Sequence, residues 1–283
     1  TSEIYTLSLH DALPILFWND YMFTGNDESL EFFYEELKHK TLMSLAREDG
    51  LISSKNVTDE IMSHIGFSNI KERIRDIVDW PPAQKDTGWK LAGPNGERDG
   101  YDMVEINTMV NAFYYRNLVL MSKIAGVLGR KDDSVFYYNE SVRVRDVINQ
   151  KLFDKSSGIY IDGESSSHSS LHANMMPLAF GLVPEENKRS VIDFIKSRGM
   201  ACSVYGSQYL LEGLYIEGES EYAMSLLTAT HDRGWYNMIK SGSTIAMEAW
   251  DMKYKPNSDW NHAWGAAPRS EEHTSELQSP NTI

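Results

Sequence analysis

Between Met103 and Leu128 the chain is apolar almost all the way round a helical wheel: Val104, Ile106, Met109, Val110, Phe113, Leu118, Val119, Leu120, Met121, Ile124, Ala125 and Leu128 leave no wide polar face. Such a helix must be enclosed by other elements, so the stretch predicts a helix buried on all sides. Gly129 stops it. Asp132 or Asp133 then caps a second helix that ends before Asp154, in which Val135, Phe136, Tyr138, Val142, Val144 and Val147 share the surface with Asn139, Glu140, Arg143 and Arg145. This helix has a wet face. A buried helix followed by an amphipathic one is the alternation expected of an inner and an outer ring.

The alternation recurs. Leu171 to Phe180 is apolar with His172 and Asn174 embedded, and Pro184 opens an amphipathic helix through Ile195. Ser203 to Tyr215 is apolar again, followed by amphipathic Glu219 to Ala229. Three helix pairs in this order predict an all-α fold of the α/α toroid kind. No fixed-period repeat marks a solenoid, and the lack of alternating strands excludes α/β classes; Ile159 to Ile161 is at most one short strand. Upstream, an Asn26-Asp27 cap starts a helix that carries Leu30, Phe33, Tyr34 and Leu37 and continues to Leu45, with Asp49-Gly50 ending it. Leu51 to Gly100, with Gly66, Gly88, Gly93, Gly96 and the Pro81-Pro82 pair, reads as long loop. Within it Ile77 and Val78 deliver an Asp79-Trp80 pair, and Arg98 to Tyr101 makes a turn. Long loops in compact domains are often functional.

The chemistry concentrates between Ser241 and Trp264, where Glu248 is set among Trp250, Trp260, Trp264, Asp251, Asp259 and His262. Aromatic faces stack on the apolar face of a pyranose, and carboxylates and histidine hold its hydroxyls. A carboxyl flanked by Ile245, Ala246, Met247 and Ala249 sits in dry surroundings that can tune it for proton transfer. The nearest cations, Lys240 and Lys253, lie at spacings that form no standard helical pair, which favours a functional Glu248. The alternative is a tryptophan-rich helix end packed into a core. Trp235, after Asp232-Arg233-Gly234 at a helix end, and Trp80 would join the same rim in a toroid.

Charge narrows the partners. With 27 basic and 41 acidic residues among 283, the net charge of −14 argues against nucleic acid or an anionic membrane. No apolar run approaches the roughly 20 residues that span a bilayer, so the chain is expected to be soluble. Cys202 is the single cysteine, so no intramolecular disulfide framework exists, and a neutral substrate is compatible with this composition. His168 and His172 are four apart, a zinc-ligand spacing on a helix, but no third ligand is near. They are read as polar residues, His172 beside Asn174 forming a patch at an inner helix end. No nucleophile elbow, Walker motif or dinucleotide fingerprint is present, so no metal or cofactor is expected.

The segments SSLHANMMPLAFGLVPEE, ACSVYGSQYLLEGLY and, above all, GSTIAMEAWDMKYKPNSDWNHAWGAAP resemble the catalytic domain of the bacterial alpha-L-rhamnosidases, glycoside hydrolase family 78. The resemblance runs over residues 17 to 268. It implies an (α/α)6 toroid, a six-hairpin barrel, that hydrolyses terminal non-reducing α-L-rhamnosyl linkages with inversion on a rhamnose-containing oligosaccharide or glycoside. It also implies Glu248 as general base, with Asp79, Trp80, Trp235, Trp250 and His262 binding the sugar. Alternatives on the same barrel are another glycosidase and a non-catalytic carbohydrate-binding toroid.

The ends read differently. YTLSLHDALPI within residues 1 to 15 and RSEEHTSELQS within 269 to 283 resemble translated sequencing-library adapters, so both ends are set aside and the glycosidase domain is expected over 16 to 268. Removing their five acids and one arginine takes the charge from −14 to −10. An inverting enzyme needs a second carboxyl roughly 6.5 to 9.5 Å from the base. In the resembled family this acid lies in an acidic-Arg motif upstream of the helix that starts here at Asn26. The toroid is therefore expected to be incomplete, missing the acid and its closing helix, inactive or nearly so, and poorly soluble through an exposed barrel wall. The location in the cell is left open: periplasmic, secreted and cytoplasmic are all compatible.

Overall fold

The computed structural model describes residues 13–66, 76–87, 90, 93–94 and 96–262. Trp264 and nearly all of the two adapter-like ends lie outside them. The described residues are all-α apart from one pair of two-residue strands, and none of their helices is long and apolar enough to cross a membrane. They form two compact units, one built from residues up to Val78 together with Asp102–His168, the other from Asp79–Tyr101 and Ser169 onward.

In the first unit, helix α1 (Leu13–Thr24) precedes α2 (Glu28–Phe32) and α3 (Tyr34–Lys40). The single helix expected from Asn26 to Leu45 is thus broken at Phe33. Leu30, Tyr34 and Leu37 are nevertheless buried, while Phe33, expected on the same face, is 38% exposed, so the periodicity marked most of the packing side and not the break. The run ends at Leu42, a buried residue with φ +67°; a left-handed leucine costs about 1–2 kcal/mol, opposed by the burial of its side chain. α1 begins within the segment set aside on sequence grounds. A short α4 (Asp59–His64) follows.

Helices α6 (Thr108–Val127) and α7 (Lys131–Lys151) form the hairpin that dominates this unit. α6 is buried round nearly its whole circumference, as its composition dictates. It starts five residues later than its apolar pattern: Asn107 takes the cap position and its Oδ1 accepts the Val110 N–H at 3.0 Å. Residues 103–107 are not helical, with a bend at Glu105-Ile106, and Asn107 bridges Gly163. A Cβ on Gly163 would lie 2.1 Å from the Ile106 carbonyl oxygen, so only glycine fits. Strands β1 (Phe153–Asp154) and β2 (Ile159–Tyr160) pair antiparallel, Phe153 opposite Tyr160.

The second unit holds a short α5 (Gln84–Thr87) in its first segment and then α8 (Leu171–Ala179), α9 (Lys188–Arg198), α10 (Ser207–Ile216), α11 (Ser220–Leu227) and α12 (Trp235–Lys240). α8 packs on both α9 and α10, and α10 on α11. α8 is buried along its length while α9 buries only Val191, Ile192 and Ile195, the inner and outer alternation expected. Ser170 caps α8, its Oγ accepting the Ala173 N–H at 3.2 Å. His168 lies outside this helix, its Nδ1 2.6 Å from Asp162 Oδ2, whereas His172 lies within it and turns to Asp79. Helical spacing does not apply to the pair, and they face different partners.

Candidate active site

Every predicted site residue falls in the second unit, Trp235 at the start of α12 and the others on two loops. The longer one, 241–262, has no regular helix or ladder and instead folds back on itself. The Glu248 N–H donates to the Asp259 carbonyl at 2.8 Å and the His262 N–H to the Ala246 carbonyl at 3.1 Å. The turn at Pro256-Asn257 makes this reversal. Glu248 and His262 are brought into one hairpin-like element as a result. Glu248 is 7% exposed. Its Oε2 accepts the Asp259 N–H at 3.2 Å and contacts the Lys255 ammonium. The sequence argument that Glu248 lacks a cationic partner is therefore corrected: helical spacing excluded Lys240 and Lys253, but in a reversing loop the seventh residue on reaches back.

Trp250 is completely buried. Its backbone N–H donates to Glu97 Oε2 at 2.8 Å, and its indole Nε1–H to the Cys202 carbonyl at 2.8 Å. The Asn237 side chain donates at 3.0 Å both to the Trp250 carbonyl and to Asp251 Oδ2. Trp235, half-buried at the start of α12, meets the Trp250 ring edge-on, centroids 4.7 Å apart at 89°. Trp250 is thus a wall behind Trp235 and not an open platform for a sugar ring; a fully enclosed indole presents no face. Trp260 is exposed, its Nε1–H 3.2 Å from Met252 Sδ.

The second loop, 79–101, carries Asp79 and Trp80. It is drawn tight by the Glu97 N–H on the Pro81 carbonyl (3.2 Å) and the Gln84 N–H on the Gly93 carbonyl (3.1 Å). It is tied to the longer loop by the Gly93 N–H on the Tyr254 carbonyl, at 2.8 Å. A Cβ on Gly93 would lie 2.3 Å from the Lys253 carbonyl oxygen, so this crossing needs glycine. Asp79 is buried and its carboxylate is consumed internally. Oδ2 accepts from His172 Nε2 and the Ser203 N–H, both at 2.7 Å, and Oδ1 from the Trp80 N–H at 2.9 Å. Burial opposes ionisation of this carboxyl, but the hydrogen bond and charge of His172, with Ser203, hold it below its usual value. Asp79, expected from the sequence to bind the sugar, thus holds the Trp80 N–H, His172 and the Ser203 N–H.

Cys202-Ser203 joins the two halves: its first carbonyl holds the Trp250 ring and its second N–H holds Asp79. Sequence reasoning missed this segment, and with it Glu97, a carboxyl at 0% exposure. Burial, with the charge of Asp79 added, pushes Glu97 well above the carboxylate range despite the Trp250 N–H bond. Charge-partner spacing along the chain carries no sign of either, because both act through backbone groups over long separations. Asp232 accepts from Lys253 and, at 2.6 Å, from the Tyr254 hydroxyl, which bring its carboxyl down to about 2.

Chemically, this unit offers one buried carboxyl on a reversing loop, a half-buried indole packed on the Trp250 ring, a histidine on the same loop as the carboxyl, and a tryptophan whose N–H is held by Asp79. A curated alpha-L-rhamnosidase from Alteromonas sp. (strain LOR) is 23% identical over 249 residues, covering 85% of this chain and 24% of its own length; the chain spans about a quarter of such relatives. Among solved structures, the GH78 family rhamnosidase of Bacillus sp. GL1 matches with a TM-score of 0.67 at 18% identity, over 93% of this chain and 25% of its own. A rhamnosidase from Klebsiella oxytoca with rhamnose bound matches at 0.68 and 11%, over 97% and 48%. These likenesses agree on an α/α toroid. The model of the bacterial alpha-L-rhamnosidase six-hairpin glycosidase domain matches residues 6–270, nearly the whole length, and the chain belongs to that family.

Proposed function

We propose that this chain forms the sugar-binding and base-carrying part of an α-L-rhamnosidase, which cleaves terminal non-reducing α-L-rhamnosyl linkages with inversion. The family match carries the reading, and the buried carboxyl of Glu248 gives it a chemical centre. Glu248 takes a proton from a water as that water's oxygen attacks the anomeric carbon. A general acid protonates the departing glycosidic oxygen, so both protons are accounted for. No residue of this chain is assigned as that acid. Trp80, Trp235 and His262 line the rhamnose, with Asp79 and Trp250 holding the first two in place. The substrates are rhamnose-capped oligosaccharides or glycosides.

The Lys255 contact on Glu248 supports a second reading, a non-catalytic carbohydrate-binding unit in which the carboxylate only pairs with the ammonium. A leaving group that departs without protonation separates the two and removes the need for the acid. With 2,4-dinitrophenyl α-L-rhamnoside, the chain should release the phenolate and yield β-L-rhamnose as the first anomer in proton NMR. Glu248→Gln should lower that rate about 10²–10⁴-fold and leave L-rhamnose binding, followed by tryptophan fluorescence, intact. Binding without any turnover would favour the second reading, and no binding of L-rhamnose would sink both.

A further inference from the structure

We propose that Glu97 is a positioning residue for Glu248, acting through the backbone of Trp250. The inference rests on the reading of Glu248 as the base and extends it to a residue that touches neither water nor sugar.

The geometry is a short relay. Glu97 is fully enclosed, and its Oε2 accepts the Trp250 N–H at 2.8 Å. Trp250 stands two residues after Glu248 in a loop that has no strand ladder, and its N–H is met by the Glu97 side chain. Left unmet in the interior, such a donor costs about 1–3 kcal/mol. The other fixing points of Trp250 are its indole bond to the Cys202 carbonyl and the Asn237 bond to its own carbonyl. With all three in place the residue is fixed at its ring and at both ends of its backbone, and the segment leading back to Glu248 inherits that placement. With the Glu97 bond removed, the Trp250 N–H is unmet, and the segment back to Glu248 keeps only the Ala249 N–H on Ser258 Oγ and the Glu248 N–H on the Asp259 carbonyl.

Glu97 is itself placed firmly. Its own N–H is bonded to the Pro81 carbonyl. The preceding Gly96 has φ +61° and a Cβ there would lie 2.3 Å from the Ala83 nitrogen, so the turn that aims the Glu97 side chain admits little else. Its Oε1 is buried and has no hydrogen-bond partner among the described residues. An ionised carboxylate would leave that oxygen unsolvated beside the charge of Asp79. Burial and the Asp79 charge favour the neutral form, against the N–H groups of Trp250 and Val204 and the charge of Arg233. Glu97 then serves as an uncharged acceptor of fixed reach, a role glutamine can copy and alanine cannot.

Three variants of the chain test this. Glu97→Gln should keep the Glu248 and Trp250 amide cross-peaks near their wild-type positions. It should also keep Trp250 amide exchange slow, and kcat on 2,4-dinitrophenyl α-L-rhamnoside within about threefold. Glu97→Ala should shift both cross-peaks, speed exchange at Trp250 and lower kcat about 10²-fold, the scale of an ångström of misplacement, with little change in KM. Glu97→Asp, one methylene shorter, should fall between them. In the infrared, the carbonyl stretch of a protonated carboxyl should vanish in Glu97→Gln. The proposal is overturned if Glu97→Ala leaves Trp250 exchange and the Glu248 cross-peak unmoved, or if Glu97→Gln loses as much kcat as Glu97→Ala. If instead the cross-peaks respond as expected while Glu248→Gln leaves turnover untouched, the base assignment fails and the anchoring of the loop stands.

Discussion

The ammonium of Lys255 rests against Oε2 of Glu248, and each of the two side chains is only 9% exposed. Removing one member of such a pair strands the other charge in the interior, at a cost of about 3–5 kcal/mol, whereas replacing both can be close to neutral. Lys255→Met should therefore lower the urea unfolding free energy by about that amount. The double variant Glu248→Gln/Lys255→Met should recover most of the loss. A single variant within 1 kcal/mol of wild type would show the contact to be loose in solution.

The edge-on tryptophans divide binding from stability. Trp235→Ala removes a half-buried ring and should weaken L-rhamnose binding at least tenfold, measured by calorimetric titration, while costing little in thermal midpoint. Trp250→Ala empties an enclosed site and should cost about 3–5 kcal/mol. Equal stability losses in the two would contradict the distinction drawn from their exposure.

Asp79 stabilises the second unit on the alkaline side of its titration. Its folded value is depressed, so its contribution is complete above the unfolded carboxyl value near 4 and is lost as pH falls through the lower folded value. Asp79→Asn should destabilise by roughly 1.5–3 kcal/mol at pH 7, as expected for hydrogen bonds to a charged group. The difference from wild type should shrink in acid-unfolding curves as pH falls below the unfolded carboxyl value and through the depressed folded one. A constant difference across pH would assign the effect to shape and not charge.

Asp76 behaves in the opposite sense. Burial pushes its carboxyl up to about 6, with a Ser54 hydrogen bond opposing, and Oδ1 is buried with no hydrogen-bond partner among the described residues. The protonated form is favoured by folding, so the stabilisation is complete below the unfolded value near 4 and is lost as pH rises through about 6. At pH 7 the burial penalty applies in full. Asp76→Asn should then raise stability by roughly 1–3 kcal/mol at pH 7 and do nothing at pH 4. Destabilisation at pH 7 would refute it.

The helices were legible because a side chain's fate on a helix is decided by neighbours three and four residues away. The unbroken apolar wheel of α6 and the one-sided face of α9 report burial directly. The break at Phe33 and the late start of α6 were not legible, since a cap and a left-handed leucine are decided by tertiary contacts. The composition of 241–262 singled out the loop that carries the buried Glu248, and the Pro256-Asn257 turn carried a sign of the reversal that pairs Lys255 with Glu248. The duties of Asp79, Glu97 and Cys202-Ser203 could not be read, because each consists of a bond between a side chain and a remote backbone group. Such bonds leave no periodicity.

One oxygen of Asp79 gathers donors lying 93 and 124 residues further along the chain, and the Glu97 bond to Trp250 spans 153. Closing loops of that length takes entropy before any contact rewards it. The helical hairpins of this unit, made from neighbours in sequence, can form first. The site should then be the last feature to appear on refolding, so recovery of sugar binding should lag recovery of helical signal. A nascent chain would acquire its recognition surface only once Trp250 had emerged and been drawn back onto segments synthesised long before it.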